Sequence, residues 1–117
     1  MKYGIIELNS WVIVSISGKA ENNEPLRVNY LFKRWLMRRG VRVIVNLQGI
    51  EEFGVWEVGL LTSFKKEMDQ RGGVLRICNL NASLNGYFHN DRFSEHFEIY
   101  PDLESAMEEQ EVKKDGE

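Results

Sequence analysis

The chain has 117 residues, 43% of them apolar and 28% charged, with a formal net charge of -3. That length supports one compact domain, the composition excludes a wholly disordered chain, and the mildly acidic balance argues against a dedicated nucleic-acid binder. One cysteine and two histidines leave no internal disulfide, no cysteine-cluster zinc site and no histidine-rich metal site.

The longest apolar runs, such as Trp11–Val14, fall far short of the roughly 20 residues that cross a bilayer. The start, Met1-Lys2-Tyr3-Gly4, lacks the apolar stretch of a signal peptide. With the lone thiol, these features lead us to expect a reducing cytoplasm and no direct membrane insertion.

Ile5-Ile6-Glu7-Leu8 and Trp11-Val12-Ile13-Val14-Ser15-Ile16-Ser17 read as two strands, with Asn9-Ser10 as a hairpin turn. Val12, Val14 and Ile16 share one uniformly apolar face, which is the expected core face. A polar loop from Gly18 leads to a helix over residues 25–39, with Pro25 in its first turn and Gly40 as its stop. Val28, Leu31, Phe32, Trp35 and Leu36 recur there at helical spacing.

Val41-Arg42-Val43-Ile44-Val45-Asn46-Leu47 is the third predicted strand, and residues 48–54 the turn after it. A second helix over residues 55–70 carries Val58, Leu61, Phe64 and Met68 as its core stripe and ends at Arg71-Gly72-Gly73. Val74–Cys78 is the fourth strand, and a short helix is expected within residues 79–93, with Leu84, Tyr87 and Phe88 as buried residues. Residues 97–100 form a short fifth strand, and Asp102 caps a last helix through Leu103, Ala106 and Met107. We expect a single domain over residues 1–110 and a charged, fraying tail over 111–117. The order β-β-α-β-α-β-α-β-α predicts an α/β fold with a mainly parallel sheet and an antiparallel edge strand.

Three stretches and the tail together resemble the STAS domain, the fold of bacterial anti-sigma factor antagonists. Ser17-Gly18-Lys19-Ala20-Glu21 stands where the family often reads G-x-L-D. Arg42-Val43-Ile44-Val45-Asn46-Leu47-Gln48-Gly49-Ile50 is similar to the family's strand-turn unit, with Asn46 where Asp is usual. Arg71-Gly72-Gly73-Val74-Leu75-Arg76-Ile77-Cys78-Asn79-Leu80 resembles the next strand, and Phe97-Glu98-Ile99-Tyr100-Pro101-Asp102-Leu103-Glu104-Ser105-Ala106-Met107 the usual ending. The resemblance implies a STAS-type mixed, mainly parallel sheet of about five strands with about four helices.

In the family, a D-S-S/T-G-L segment follows the third strand. A partner kinase phosphorylates a serine there, at a helix start, and the dephosphorylated form binds the anti-sigma factor. A helix start accommodates phosphate because its N–H groups are unpaired and its dipole end is positive. The added charge then disrupts a docked interface. Counted without gaps from Asn46, this chain has Gly54 at the Asp position, Val55 and Trp56 at the two hydroxyl positions, and Glu57 at the Gly position. Neither Val55 nor Trp56 can accept phosphate, so the resemblance keeps the fold and drops the switch.

Trp56 and Leu60 are neighbours on one helix stripe, off the Leu61–Met68 core face, and Ser63 shares that stripe. They are read as an apolar docking patch; the bland alternative folds Trp56 under the adjacent loop as core. Glu51, Glu52 and Glu57 could imitate a phosphorylated site, but complementing the helix dipole is the better reading. Thr62 and Ser63 lie two turns into the helix and read as surface residues. Arg27, Lys33, Arg34, Arg38, Arg39 and Arg42 read as a solvated helix face, not a membrane or nucleic-acid patch. His89 and His96 lack convergent ligands, and Cys78 reads as a buried, inert thiol. No Gly-rich phosphate loop or nucleophile elbow is present.

The functional expectation is a non-catalytic protein-binding module without cofactor or metal. Its partner would be an anti-sigma factor or a kinase-like regulator. The expected partner-binding residues are Glu21, Glu52, Gly54, Val55, Trp56, Glu57 and Leu60. The rival readings are a STAS subunit of a transporter or signalling assembly and, from another class, a small-molecule or nucleotide-binding protein.

Overall fold

The structure, a computed structural model, describes residues 2–19, 33, 38–52, 55–82, 84–86 and 97–108. It contains β1 (Lys2–Leu8), β2 (Trp11–Lys19), β3 (Arg42–Glu52), α1 (Val55–Gln70), β4 (Val74–Cys78), β5 (Glu98–Tyr100) and α2 (Leu103–Ala106). The sheet order is β1-β2-β3-β4-β5. β1 runs antiparallel to β2, and every other neighbouring pair is parallel. The predicted α/β class and edge hairpin are therefore both present. The helix expected over residues 25–39 lies outside the described residues except for helical Lys33 and for Arg38 and Arg39; in the expected short helix, residues 82 and 84–86 are helical.

Local chemistry accounts for the turns and caps. Asn9 and Ser10 have φ values of 53° and 72°. Two successive left-handed residues make the turn whose twist matches a tight hairpin, and Asn is among the side chains that tolerate it. Gly72, at φ 76°, ends α1, where a side chain would be strained. Asp102 Oδ1 accepts a hydrogen bond from Ser105 N–H at 2.8 Å, which caps α2 as expected. That bond holds the Asp102 carboxyl below its usual range.

One face of the sheet packs under α1. Val12, Val14, Ile16, Val43, Val45, Leu47, Leu75 and Ile77 meet Leu61, Phe64 and Met68 there. This is the core face read from β2. The opposite face corrects that reading, because it is also buried. Trp11, Ile13, Ile44 and Cys78 form a second cluster with Ala106 of α2, flanked by Leu103, Met107 and Tyr100. Inner parallel strands are covered on both sides, so their sequences lose the alternation that marks a one-sided strand.

β3 is the second correction. It does not end at Leu47; it continues through Gln48 to Glu52, paired with β2 as far as Lys19 opposite Glu52. The pairing survives through register shifts between Ser15 and Ser17 and between Gly18 and Lys19. At each shift β3 carries an extra residue, as in a β-bulge. Gly49 makes this possible: a Cβ there would lie 2.6 Å from the Ser17 Cβ. Gly49→Ala should therefore destabilise the fold by about 1–3 kcal/mol in urea denaturation, as overpacking does. Ser17→Gly in the same chain should restore most of the loss; an equal penalty with and without it would show that the strain lies elsewhere.

Candidate functional site

The candidate site lies where the parallel strands deliver their carboxyl ends, the usual location for ligand and partner sites in α/β sheets. β3 ends at Glu52 and α1 begins at Val55, so a very short link turns the chain from the sheet into the helix. The strand extension puts Glu52 in β3, although a turn was expected there.

Asn46 organises this end of the sheet. Its Oδ1 accepts a hydrogen bond from Gln48 N–H at 3.1 Å, inside the first register shift, where ladder pairing is interrupted. The same oxygen accepts from Asn79 Nδ2 at 2.9 Å, tying β3 to the end of β4. Asn79 itself has a φ of 63°, which Asn tolerates better than most residues. Asn81 continues the connection: its Nδ2 donates to the Ile50 carbonyl at 3.4 Å, and its Oδ1 accepts from Leu84 N–H at 2.8 Å. An acceptor at position 46 is what this geometry requires, and Asn supplies it without the charge of Asp.

α1 brings Leu61, Phe64 and Met68 to the sheet and leaves Gly59 and Ser63 exposed. A Cβ at Gly59 would meet nothing within 4 Å. By helical spacing, position 56 shares the stripe of Ser63, and position 60 lies between that stripe and buried Phe64. Of Glu52, Val55, Trp56, Glu57 and Leu60 the structure describes the backbone, which puts the first at the end of β3 and the rest in the first two turns of α1. Glu21 and Gly54 lie outside the described residues, as do His89 and His96. Glu51 is exposed at the tip of β3.

Thr62, Ser63, Lys65, Lys66 and Asp69 line a shallow surface depression on α1. Lys65 Nζ donates to both carboxylate oxygens of Asp69, at 2.9 and 3.0 Å. Cys78 is fully buried, and its thiol is pushed up to about 11, first by burial and then by the nearby Asp102 charge. A protonated, enclosed thiol is a poor nucleophile. Among the described residues, no group of three or more His, Cys, Asp or Glu side chains could hold a metal ion.

The residue that sequence reasoning missed is Arg76. It is 6% exposed on the face opposite α1. Its Nε donates to Glu98 Oε1 at 2.8 Å, and its Nη1 donates to the carbonyls of Ala106 and Glu108 at 2.7 and 2.8 Å. Its guanidinium also stacks 4.8 Å from the Trp11 ring centre, with Arg42 over the same ring at 4.1 Å. Arg42 therefore belongs to a strand and to this stack, not to a solvated helix face. A cation within an apolar strand was the available signal.

A family model for the STAS domain matches residues 8–106. An anti-sigma factor antagonist from Mycobacterium paratuberculosis superposes with a TM-score of 0.81 at 14% identity, covering 91% of this chain and 90% of that one. An anti-sigma-factor antagonist (STAS) domain protein from Planctomyces limnophilus gives 0.78 at 16% identity, with 89% and 93% covered. The anti-sigma factor antagonist SpoIIAA in its unphosphorylated form gives 0.76 at 13% identity, with 97% of each chain covered. At these identities the superpositions establish the fold alone. A search of curated protein sequences found no match.

Proposed function

The chain belongs to the STAS domain family, and on that premise we propose that it is a non-catalytic protein-binding regulator of the anti-sigma factor antagonist kind, working without the usual serine switch. One observation carries this reading. α1 begins at Val55 directly beyond the carboxyl end of β3, and its first two positions are Val55 and Trp56. The helix start that would host a phosphoserine is present; the hydroxyl is not. The partner-binding surface we propose joins Glu52, Gly54, Val55, Trp56, Glu57 and Leu60, with Glu21 from the loop after β2. The exposure of Ser63 supports the place of position 56 in it, because the two lie two turns apart on one stripe of α1. The partner is an anti-sigma factor or kinase-like regulator, met in the cytoplasm.

Trp56→Ala tests the surface. Binding to a kinase-type anti-sigma factor of the source organism should weaken by at least about 2 kcal/mol, the range of a central aromatic anchor. The urea midpoint should hardly move. The opposite result, intact binding with a loss of about 3–5 kcal/mol in stability, would make Trp56 a core residue. After incubation with that kinase and ATP, the intact mass should be unchanged; a stoichiometric phosphate on Thr62 or Ser63 would show the switch moved along the helix.

The same missing hydroxyl favours a second reading, a fixed STAS subunit of a transporter or signalling assembly, which needs no switch. Stable co-purification with a membrane complex, and no affinity for a soluble anti-sigma factor, would select it.

A further inference from the structure

We propose that β1 pairs antiparallel with β1 of a second copy of this chain, joining the two sheets across a two-fold axis. β1 is the terminal strand of the sheet, so among the described residues one of its edges faces no strand. It has 7 residues, KYGIIEL, with no proline to blunt the edge. Its outward positions Lys2, Gly4, Ile6 and Leu8 are all exposed. Ile6 and Leu8, 57% and 46% exposed, are the large apolar residues left in solvent among those described. They lie opposite Ile13 and Trp11, so they extend the second apolar cluster beyond its cover. α2 packs over β3, β4 and β5 and does not reach them. A long, proline-free edge beside exposed apolar side chains is a template for another strand.

The strand's own sequence selects its own copy as the occupant. An axis perpendicular to the sheet keeps like faces together and allows one register that uses all 7 residues of both strands. Lys2 then faces Leu8 of the second copy, Tyr3 faces Glu7, Gly4 faces Ile6, and Ile5 faces Ile5 on the axis. A Cβ at Gly4 would meet nothing within 4 Å, and that open space receives the exposed Ile6 of the other copy. The stem of Lys2 covers Leu8. Glu7, already 3.5 Å from Arg38, meets a phenol and not a second carboxylate. No like charges are opposed, as directly facing pairs require. Both α1 helices lie on the same face of the joined sheet, but the axis reverses the strand direction, so the two proposed partner surfaces stand at its opposite ends.

Sedimentation of the full chain at rising concentration tests this. A single strand pair is a small interface, so dimer should accumulate toward about 1 mM protein. Ile6→Lys, at an exposed position, should keep the circular dichroism and urea midpoint of wild type and sediment as a monomer throughout. Ile5→Cys should cross-link to its own copy under mild oxidation, because facing Cα atoms about 4.5–5.5 Å apart suit a disulfide. Leu8→Cys, which faces Lys2, should not cross-link, and buried Cys78 stays out of the reaction. A wild type that remains monomeric at every concentration overturns the proposal. So does a dimer that Ile6→Lys leaves intact, or one that cross-links through Leu8→Cys in place of Ile5→Cys.

Discussion

Arg76→Ala is expected to lower the stability of the domain by about 3 kcal/mol, read as an earlier urea midpoint at unchanged slope. Three hydrogen bonds disappear at once, including those to the carbonyls of Ala106, which ends α2, and of Glu108 just beyond it. Ala106 is fully buried, so its carbonyl loses a partner where water does not easily replace it. Trp11 loses one of its two stacked guanidiniums. The ion pair with Glu98 is the lesser contribution, because the Glu98 side chain is 47% exposed and stays hydrated. Glu98→Gln should accordingly cost less than about 1 kcal/mol. Arg76→Lys should recover only part of the loss, since a lysine lacks the planar fork that reaches a carboxylate and two carbonyls together. If Glu98→Gln were as damaging as Arg76→Ala, the ion pair would dominate and the capping role of Arg76 would be refuted.

Leu61→Ala should cost about 2–5 kcal/mol, as a large-to-small change in a closed core. Leu61 is 1% exposed and packs with Phe64 and Met68 against the sheet. The comparison is Lys65→Ala, one turn along the same helix. Its loss should stay within about 0.5 kcal/mol, since it removes an i,i+4 ion pair with a half-exposed Asp69 and a lysine stem that lies along the helix surface and not in the closed core. Equal urea midpoints for the two variants would contradict the packing of α1.

The site shows where local signals stop. The degenerate helix start was legible because it depends on residue types alone: Val55 and Trp56 carry no hydroxyl in any conformation. Asn46 was visible as a departure from a carboxylate, but not as the acceptor joining Gln48 and Asn79. Gln48 is a local partner, but Asn79 meets position 46 only after β3 and β4 align in parallel, 33 residues apart in sequence.

By itself, the sequence determined the features that arise within a few residues. Helical spacing placed Leu61, Phe64 and Met68 on one face of α1. Asn9-Ser10 made the hairpin, Gly72 ended the helix and Asp102 capped the last one. Strands alternating with helices determined a mainly parallel sheet. Tertiary structure alone decided the rest. Burial of both sheet faces depends on α2 returning over β3, β4 and β5; the unbroken apolar run Trp11–Val14 is what two covered faces require, but it does not name the segment that supplies the cover. The length of β3 depends on its register against β2, because Gln48–Glu52 is polar enough to read as a turn until paired. Arg76 became a buried anchor only when residues 98, 106 and 108 closed around it. β1 became an open apolar edge only because every other neighbour in the sheet was assigned elsewhere. Period and capping are local properties of the chain; cover, register and edges belong to contacts between distant segments, which a single strand or helix does not encode.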